Sequence, residues 1–117
     1  MMDKRFIWLE VSKIVAGYPL LECARCAVAV SNWLTANEIP YKIIRLRTQR
    51  RSEVFIVSRR YGMSDSITEN GTHYGVEVLG LVFDNLSEYG LSRDEWIADF
   101  SCRSGRFIID ELESLGG

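Results

Sequence analysis

The chain reads as an α+β protein, with N-terminal helices packed on a mostly antiparallel sheet. Three observations predict that class. Apolar residues recur at helical spacing as far as about residue 36. From there to residue 84 the pattern changes to short β-branched runs separated by turn signals, and a capped helical segment follows residue 92.

The elements follow in order. Ile7, Val11 and Ile14, flanked by Trp8 and Val15, place a helix over residues 4–16, closed by Gly17 and by the Tyr18-Pro19 break. Cys23, Cys26, Ala27, Val30, Trp33 and Leu34 then line one face of a second helix from Glu22 to Ala36, which Asn37 and Pro40 end. Tyr41–Thr48 and Val54–Ser58 are strands. Asn70-Gly71 is a turn that introduces Thr72–Val78, and Leu79-Gly80 turns that strand back into Leu81–Asp84, a hairpin. Ser92 and Glu95 make a capping box for a short helix through Phe100. Residues 106–115 fit a strand followed by a helical turn, or one helix. Trp33, Phe55, Phe83 and Trp96 suit core positions, and the first helix is expected to cover the back of the second.

Length and charge narrow the functions. The 117 residues carry 14 Lys+Arg against 16 Asp+Glu, a formal charge of −2, and 47% are hydrophobic, so one globular domain over residues 1–117 is expected. No apolar run reaches membrane-spanning length, and the first residues, charged again at Glu10, make a poor signal peptide. Three cysteines are too few for a disulfide scaffold, which points to a reducing, cytoplasmic setting. Residues 42–60 are basic, with Lys42, Arg45, Arg47, Arg50, Arg51, Arg59 and Arg60 opposed by Glu53 alone. Such a patch is either a nucleic-acid footprint or the wet edge of a strand, and the acidic balance of the whole favours the strand edge.

Three features carry chemistry. His73 is the one histidine and lies on a strand; Cys23 and Cys26 open a helix; Asp84-Asn85 ends the strand hairpinned to the histidine. A cysteine attacks as its thiolate, which a helix N-terminus favours and whose backbone N–H groups can hold an oxyanion. An imidazole in reach completes an ion pair, and a carboxylate or amide fixes its tautomer. With Leu79-Gly80 as a two-residue turn, Val78 pairs with Leu81, Gly75 faces Asp84 and His73 faces Leu86. His73 and Asp84 then share a face as diagonal neighbours, roughly 7–8 Å apart by backbone and bridgeable by side chains. A slip of one residue would bring Asn85 there instead. Tyr74, Val76, Val78, Leu81 and Phe83 take the other, apolar face.

The strings YPLLECARCA, IPYKIIRLRT, SITENGTHYGVEV and LVFDNLSEYGLSRDEW resemble, in that order, the papain fold toxin 2 family of bacterial polymorphic toxin systems. The resemblance spans about Tyr18 to Trp96. It implies a compact papain-like fold and a papain-like cysteine hydrolase or acyl-transferase (protease, deamidase or transglutaminase-like) with a Cys23, His73, Asp84 triad and no cofactor or metal. It also implies a protein or small-amide substrate and an immunity protein as partner; neither nucleic acid nor membrane is expected. Cys23 is preferred to Cys26 because it lies nearer the helix N-terminus. Gln49, the only glutamine, lies downstream of the cysteines, so the second oxyanion donor of a larger papain-type protease has no counterpart.

Other readings compete. Cys23 and Cys26 could be a redox pair, though no strand precedes their helix. Cys23, Cys26, His73 and Cys102 could bind zinc, though the last two lack knuckle spacing. Both cysteines could be packing residues and His73 an exposed strand position, in a non-catalytic binding module that kept the fold. Glu77 shares the histidine's face as an accessory or a plain solvent-facing residue.

Overall fold

The computed structural model describes residues 2–115. Helix α1 (Lys4–Val15) starts on Asp3, whose carboxylate accepts the Phe6 N–H at 2.8 Å, and it buries Ile7, Val11 and Val15. Helix α2 (Cys23–Ala36) buries Cys23, Cys26, Ala27, Val30 and Leu34, the face set by their spacing, while Trp33 is only half-buried. Strands β1 (Lys42–Thr48), β2 (Val57–Ser58), β3 (Thr72–Val78) and β4 (Leu81–Phe83) follow, then helix α3 (Arg93–Ala98) and strands β5 (Phe100–Ser101) and β6 (Phe107–Leu112). Ser92 and Glu95 form the expected capping box at α3.

The main sheet runs β4-β3-β1-β6 with every pair antiparallel, and β2 pairs with β5 separately. The hairpin has the expected register, Val78 opposite Leu81 and Val76 opposite Phe83. Its two turn residues, Leu79 and Gly80, both hold positive φ (51° and 90°), the twist a two-residue hairpin needs.

Both faces of this sheet are covered. On one, Ile43, Val76, Val78 and Phe83 pack against Ile7, Val11, Cys26, Ala27, Val30 and Leu34 of the two helices. On the other, Ile44, Leu46 and Val82 pack against Ile56, Ile67, Trp96 and Phe100. Pleat alternation therefore sends successive β3 side chains into two different apolar layers. The histidine's face is not the wet one, and His73 is fully buried.

Several boundaries differ from expectation for one reason: pairing partners, not local propensity, decide short strands. Of the expected strand over residues 54–58 only Val57 and Ser58 pair, and Phe55 is 69% exposed rather than in the core. Helix α3 stops at Ala98, and Phe100 belongs to β5. The tail is a strand on the free edge of β1, with no helical turn after it through residue 115. Acids of β6 answer the bases of β1: Lys42 meets Glu111 at 3.5 Å, and Asp110 takes Arg45 at 2.9 Å and Arg47 at 3.3 Å. Among the described residues no helix is long and apolar enough to cross a membrane.

Candidate active site

The imidazole of His73 projects from the second residue of β3 into the layer built on Trp96 and Phe100. Its ring lies 5.9 Å from Trp96 in a stacked arrangement and 5.1 Å from Phe100, with no solvent access. Nε2 meets Asp84 Oδ2 at 2.9 Å. Asp84 stands one residue past β4, where the chain leaves the sheet, and its carboxylate is also buried.

An ionised carboxylate cannot sit in such a place unpartnered, and this one is saturated. Oδ2 accepts from His73, from Trp96 Nε1 at 2.8 Å and from Arg60 Nη2 at 2.8 Å; Oδ1 accepts from Arg60 Nη1 at 2.8 Å and from the Leu86 N–H at 3.1 Å. Burial opposes its charge, but the contacts with His73 and Arg60 prevail and hold it well below the usual carboxylate range. Burial likewise opposes protonation of His73, yet the Asp84 hydrogen bond and the interaction with Cys23 raise its pKa to about 9.

Cys23 is the first residue of α2 and only 9% exposed. The 19–22 turn that delivers it contains Leu21 at φ 73°, a strained setting for a branched side chain, and is closed by the Glu22 N–H on the Pro19 carbonyl at 3.2 Å. Burial alone would raise the thiol's pKa. The neighbouring His73 imidazole, with the Tyr74 and Ala24 backbone N–H groups, outweighs burial and lowers it. With Nε2 engaged on Asp84, Nδ1 is the ring nitrogen left to serve the sulfur; it is buried and without a hydrogen-bond partner. Sulfur, imidazole and carboxylate thus form one line from α2 through β3 to the end of β4. A cavity of about 140 Å³, lined by Leu21, Cys23, Ala24, Thr72 and Tyr74 among others, lies at the sulfur end.

The remaining candidates separate cleanly. Cys26 lies one turn inside α2, is 1% exposed and packs in the helix-side core; burial, then the charges of Asp84 and Cys23, push its thiol up to about 12. Asn85 does not reach the imidazole: its Nδ2 donates to the Pro19 carbonyl at 2.8 Å, tying the turn ahead of Cys23 to the loop that carries Asp84. Glu77 is held by Arg93 at 2.6 Å. Cys102 lies 3.4 Å from Ser104 Oγ, and among the described residues no three His, Cys, Asp or Glu side chains are grouped to hold a metal ion, so the four-ligand zinc arrangement does not assemble.

Two contributors escaped the sequence reading. Arg60 belongs to the basic run, yet it is largely buried and binds Asp84; nothing local in Arg59-Arg60-Tyr61 distinguishes it from its exposed neighbour. Trp96 was expected in the core, where it is, but its indole N–H also serves the carboxylate. Gly75 is the signal that could have pointed there: a Cβ at Gly75 would lie 2.9 Å from Trp96 Cζ2, so the indole needs that bare backbone.

Helices on one face of an antiparallel sheet, with a cysteine opening a helix against a strand histidine, make up a papain-like fold. The model of the papain fold toxin 2 family matches residues 7–101, and the chain belongs to that family. The matched span holds every residue of the thiol–imidazole–carboxylate line and ends before β6. No curated protein and no solved structure matches significantly.

Proposed function

We propose that this protein is a cysteine hydrolase or acyl-transferase that acts on an amide, with Cys23 as nucleophile, His73 as acid and base, and Asp84 as the group that orients and charges the imidazole. The observation that carries the reading is the state of His73. The chain's one imidazole is buried, holds Asp84 through Nε2, and leaves Nδ1 for a thiol at a helix N-terminus. A raised histidine beside a lowered cysteine favours the thiolate–imidazolium pair over two neutral groups.

The chemistry follows from that pair. The thiolate adds to the amide carbon and the carbonyl oxygen takes the charge. Backbone N–H groups at the first turn of α2 are available to it: the first intrahelical bond runs from the Cys26 N–H to the Glu22 carbonyl. Glu22 caps none of these donors with its side chain, which pairs with Arg25 at 2.8 Å. His73 gives its Nδ1 proton to the leaving amine, and the thioester forms as the C–N bond breaks. Water, deprotonated by the neutral imidazole, then releases the acid and restores the pair; an amine in its place completes acyl transfer. Release of ammonia from a side-chain amide is deamidation by the same steps. An immunity protein that covers the sulfur end is the partner proposed with this reading.

The test is the rate of iodoacetamide modification of Cys23 across pH, resolved by peptide mass spectrometry. An inflection well below the free-cysteine value of about 8.5 is expected. An ordinary profile would refute the enzyme and leave a binding module. Growth of bacteria expressing wild type against Cys23→Ala reads the biological outcome, with slower growth of the wild type expected.

A further inference from the structure

We propose that Arg60 is a positioning residue of this site: its guanidinium clamps the Asp84 carboxylate in the orientation that meets His73, and is itself anchored on Asp99. The role rests on the Cys23–His73–Asp84 reading, and its readouts are chosen at His73 so that the two can fail separately.

The geometry is specific. Arg60 presents Nη1 to Asp84 Oδ1 and Nη2 to Oδ2, each at 2.8 Å, the parallel two-bond fork that fixes a carboxylate's plane as well as its place. Both carboxylate oxygens are thereby constrained, and Oδ2 is the atom His73 uses. Two further guanidinium N–H groups and the backbone N–H are also committed. Nε binds Asp99 Oδ2 at 2.9 Å, Nη1 binds Ser87 Oγ at 2.9 Å, and the Arg60 backbone N–H takes Asp99 Oδ1 at 3.0 Å. Ser58 Oγ in turn holds Asp99. The guanidinium lies over Phe100, 5.7 Å from the ring that also touches His73.

A structural ion pair would need only charge balance. Here one arginine satisfies two buried acids on different segments, and every bond it makes to Asp84 restrains the atom pair that faces the imidazole. The chemically active groups near His73 are few: Cys23 from α2, Asp84 after β4, then Arg60 and Asp99 behind the carboxylate, with Cys26 beside Asp84. Trp96 and Phe100 complete its surroundings and are neutral.

Arg60→Lys separates position from charge, because lysine keeps the cation and loses the fork. Since His73 is the only histidine, its ring ¹⁵N resonances report tautomer and protonation without ambiguity. In folded Arg60→Lys the His73 titration is expected to move down by about one pH unit. Cys23 alkylation at pH 7 should fall by roughly tenfold, as one pH unit implies. A folded Arg60→Lys with the wild-type His73 titration overturns the proposal, whatever Cys23 does. Should that variant not fold, Asp99→Asn removes the second anchor and leaves the Asp84 fork. A smaller downward shift supports the proposal and an unchanged His73 titration overturns it. A third measurement needs no variant: a clamped guanidinium gives separate Nη1 and Nη2 proton resonances in the wild-type protein, and one averaged signal refutes the clamp. An ordinary Cys23 profile beside a shifted His73 would instead sink the enzyme reading and spare the role of Arg60.

Discussion

Gly75→Ala tests how tightly the tryptophan layer is fitted around the site. The new methyl would lie 2.6 Å from Val82 Cγ1 and 2.9 Å from Trp96 Cζ2. Ordinary contact begins near 3.4 Å, so Val82 must retreat by 0.8 Å and the indole by 0.5 Å. Trp96 has nowhere easy to go, being fully buried with Phe100 edge-on at 5.1 Å. A matching shift of Nε1 would stretch its 2.8 Å bond to Asp84 beyond 3 Å. Overpacking costs about 1–3 kcal/mol, and a weakened buried hydrogen bond adds about 1 kcal/mol. Together they should lower Tm by on the order of 10 °C. Thermal unfolding by circular dichroism reads the first effect, and the His73 ¹⁵N titration reads the second, with a shift expected as Asp84 Oδ2 loses a donor. A Tm within about 2 °C of wild type, with His73 unchanged, would refute the fit of backbone to indole described above.

Other perturbations have equally definite outcomes. His73, raised from 6.5 to about 9, contributes stability that is complete below pH 6.5 and lost as pH rises through 9. Cys23, lowered from 9.0, contributes stability that is complete above pH 9 and lost as pH falls through its folded value, so below pH 9 its slope opposes that of His73. Urea midpoints of the wild type should therefore fall less steeply between pH 6.5 and 9 than those of Cys23→Ala, which should lose stability at up to roughly 1.4 kcal/mol per pH unit above pH 6.5. Cys26, buried with its thiol at about 12, should resist iodoacetamide at pH 7 in the folded chain and become reactive in urea, which peptide mass spectrometry distinguishes. Asn85→Ala removes the tie to Pro19 and also an unpartnered buried Oδ1, so Tm should change little while Cys23 alkylation slows several-fold as the 19–22 turn loosens.

How far the sequence reached depends on the range of each interaction. Helical spacing located the buried face of α2 almost residue by residue, because a helix carries its periodicity within itself. The two-residue turn at Leu79-Gly80 determined the hairpin register, and with it the common face of His73 and Asp84. What stayed hidden is contributed from far along the chain. Arg60 reaches Asp84 across 24 positions, and no pattern around residue 60 announces that partner. β5 is two residues long and exists because β2 lies beside it. β6 resisted assignment because nearly all its residues are half-buried, which erases the alternation that marks a strand. The second apolar layer was missed for a related reason. Gly75, His73 and Glu77 look polar or blank in a row of letters, although Ile67, Trp96 and Phe100 cover that face.

The line from sulfur to carboxylate draws on segments that meet only when the chain is folded: the start of α2, the start of β3, the exit of β4, and the 3-10 turn Arg59–Tyr61. An extended polypeptide, whether newly made or pulled apart, therefore carries three ordinary cysteines and a plain histidine. The reactivity proposed for Cys23 and the compactness of the fold arrive together, so unfolding by itself would abolish that reactivity.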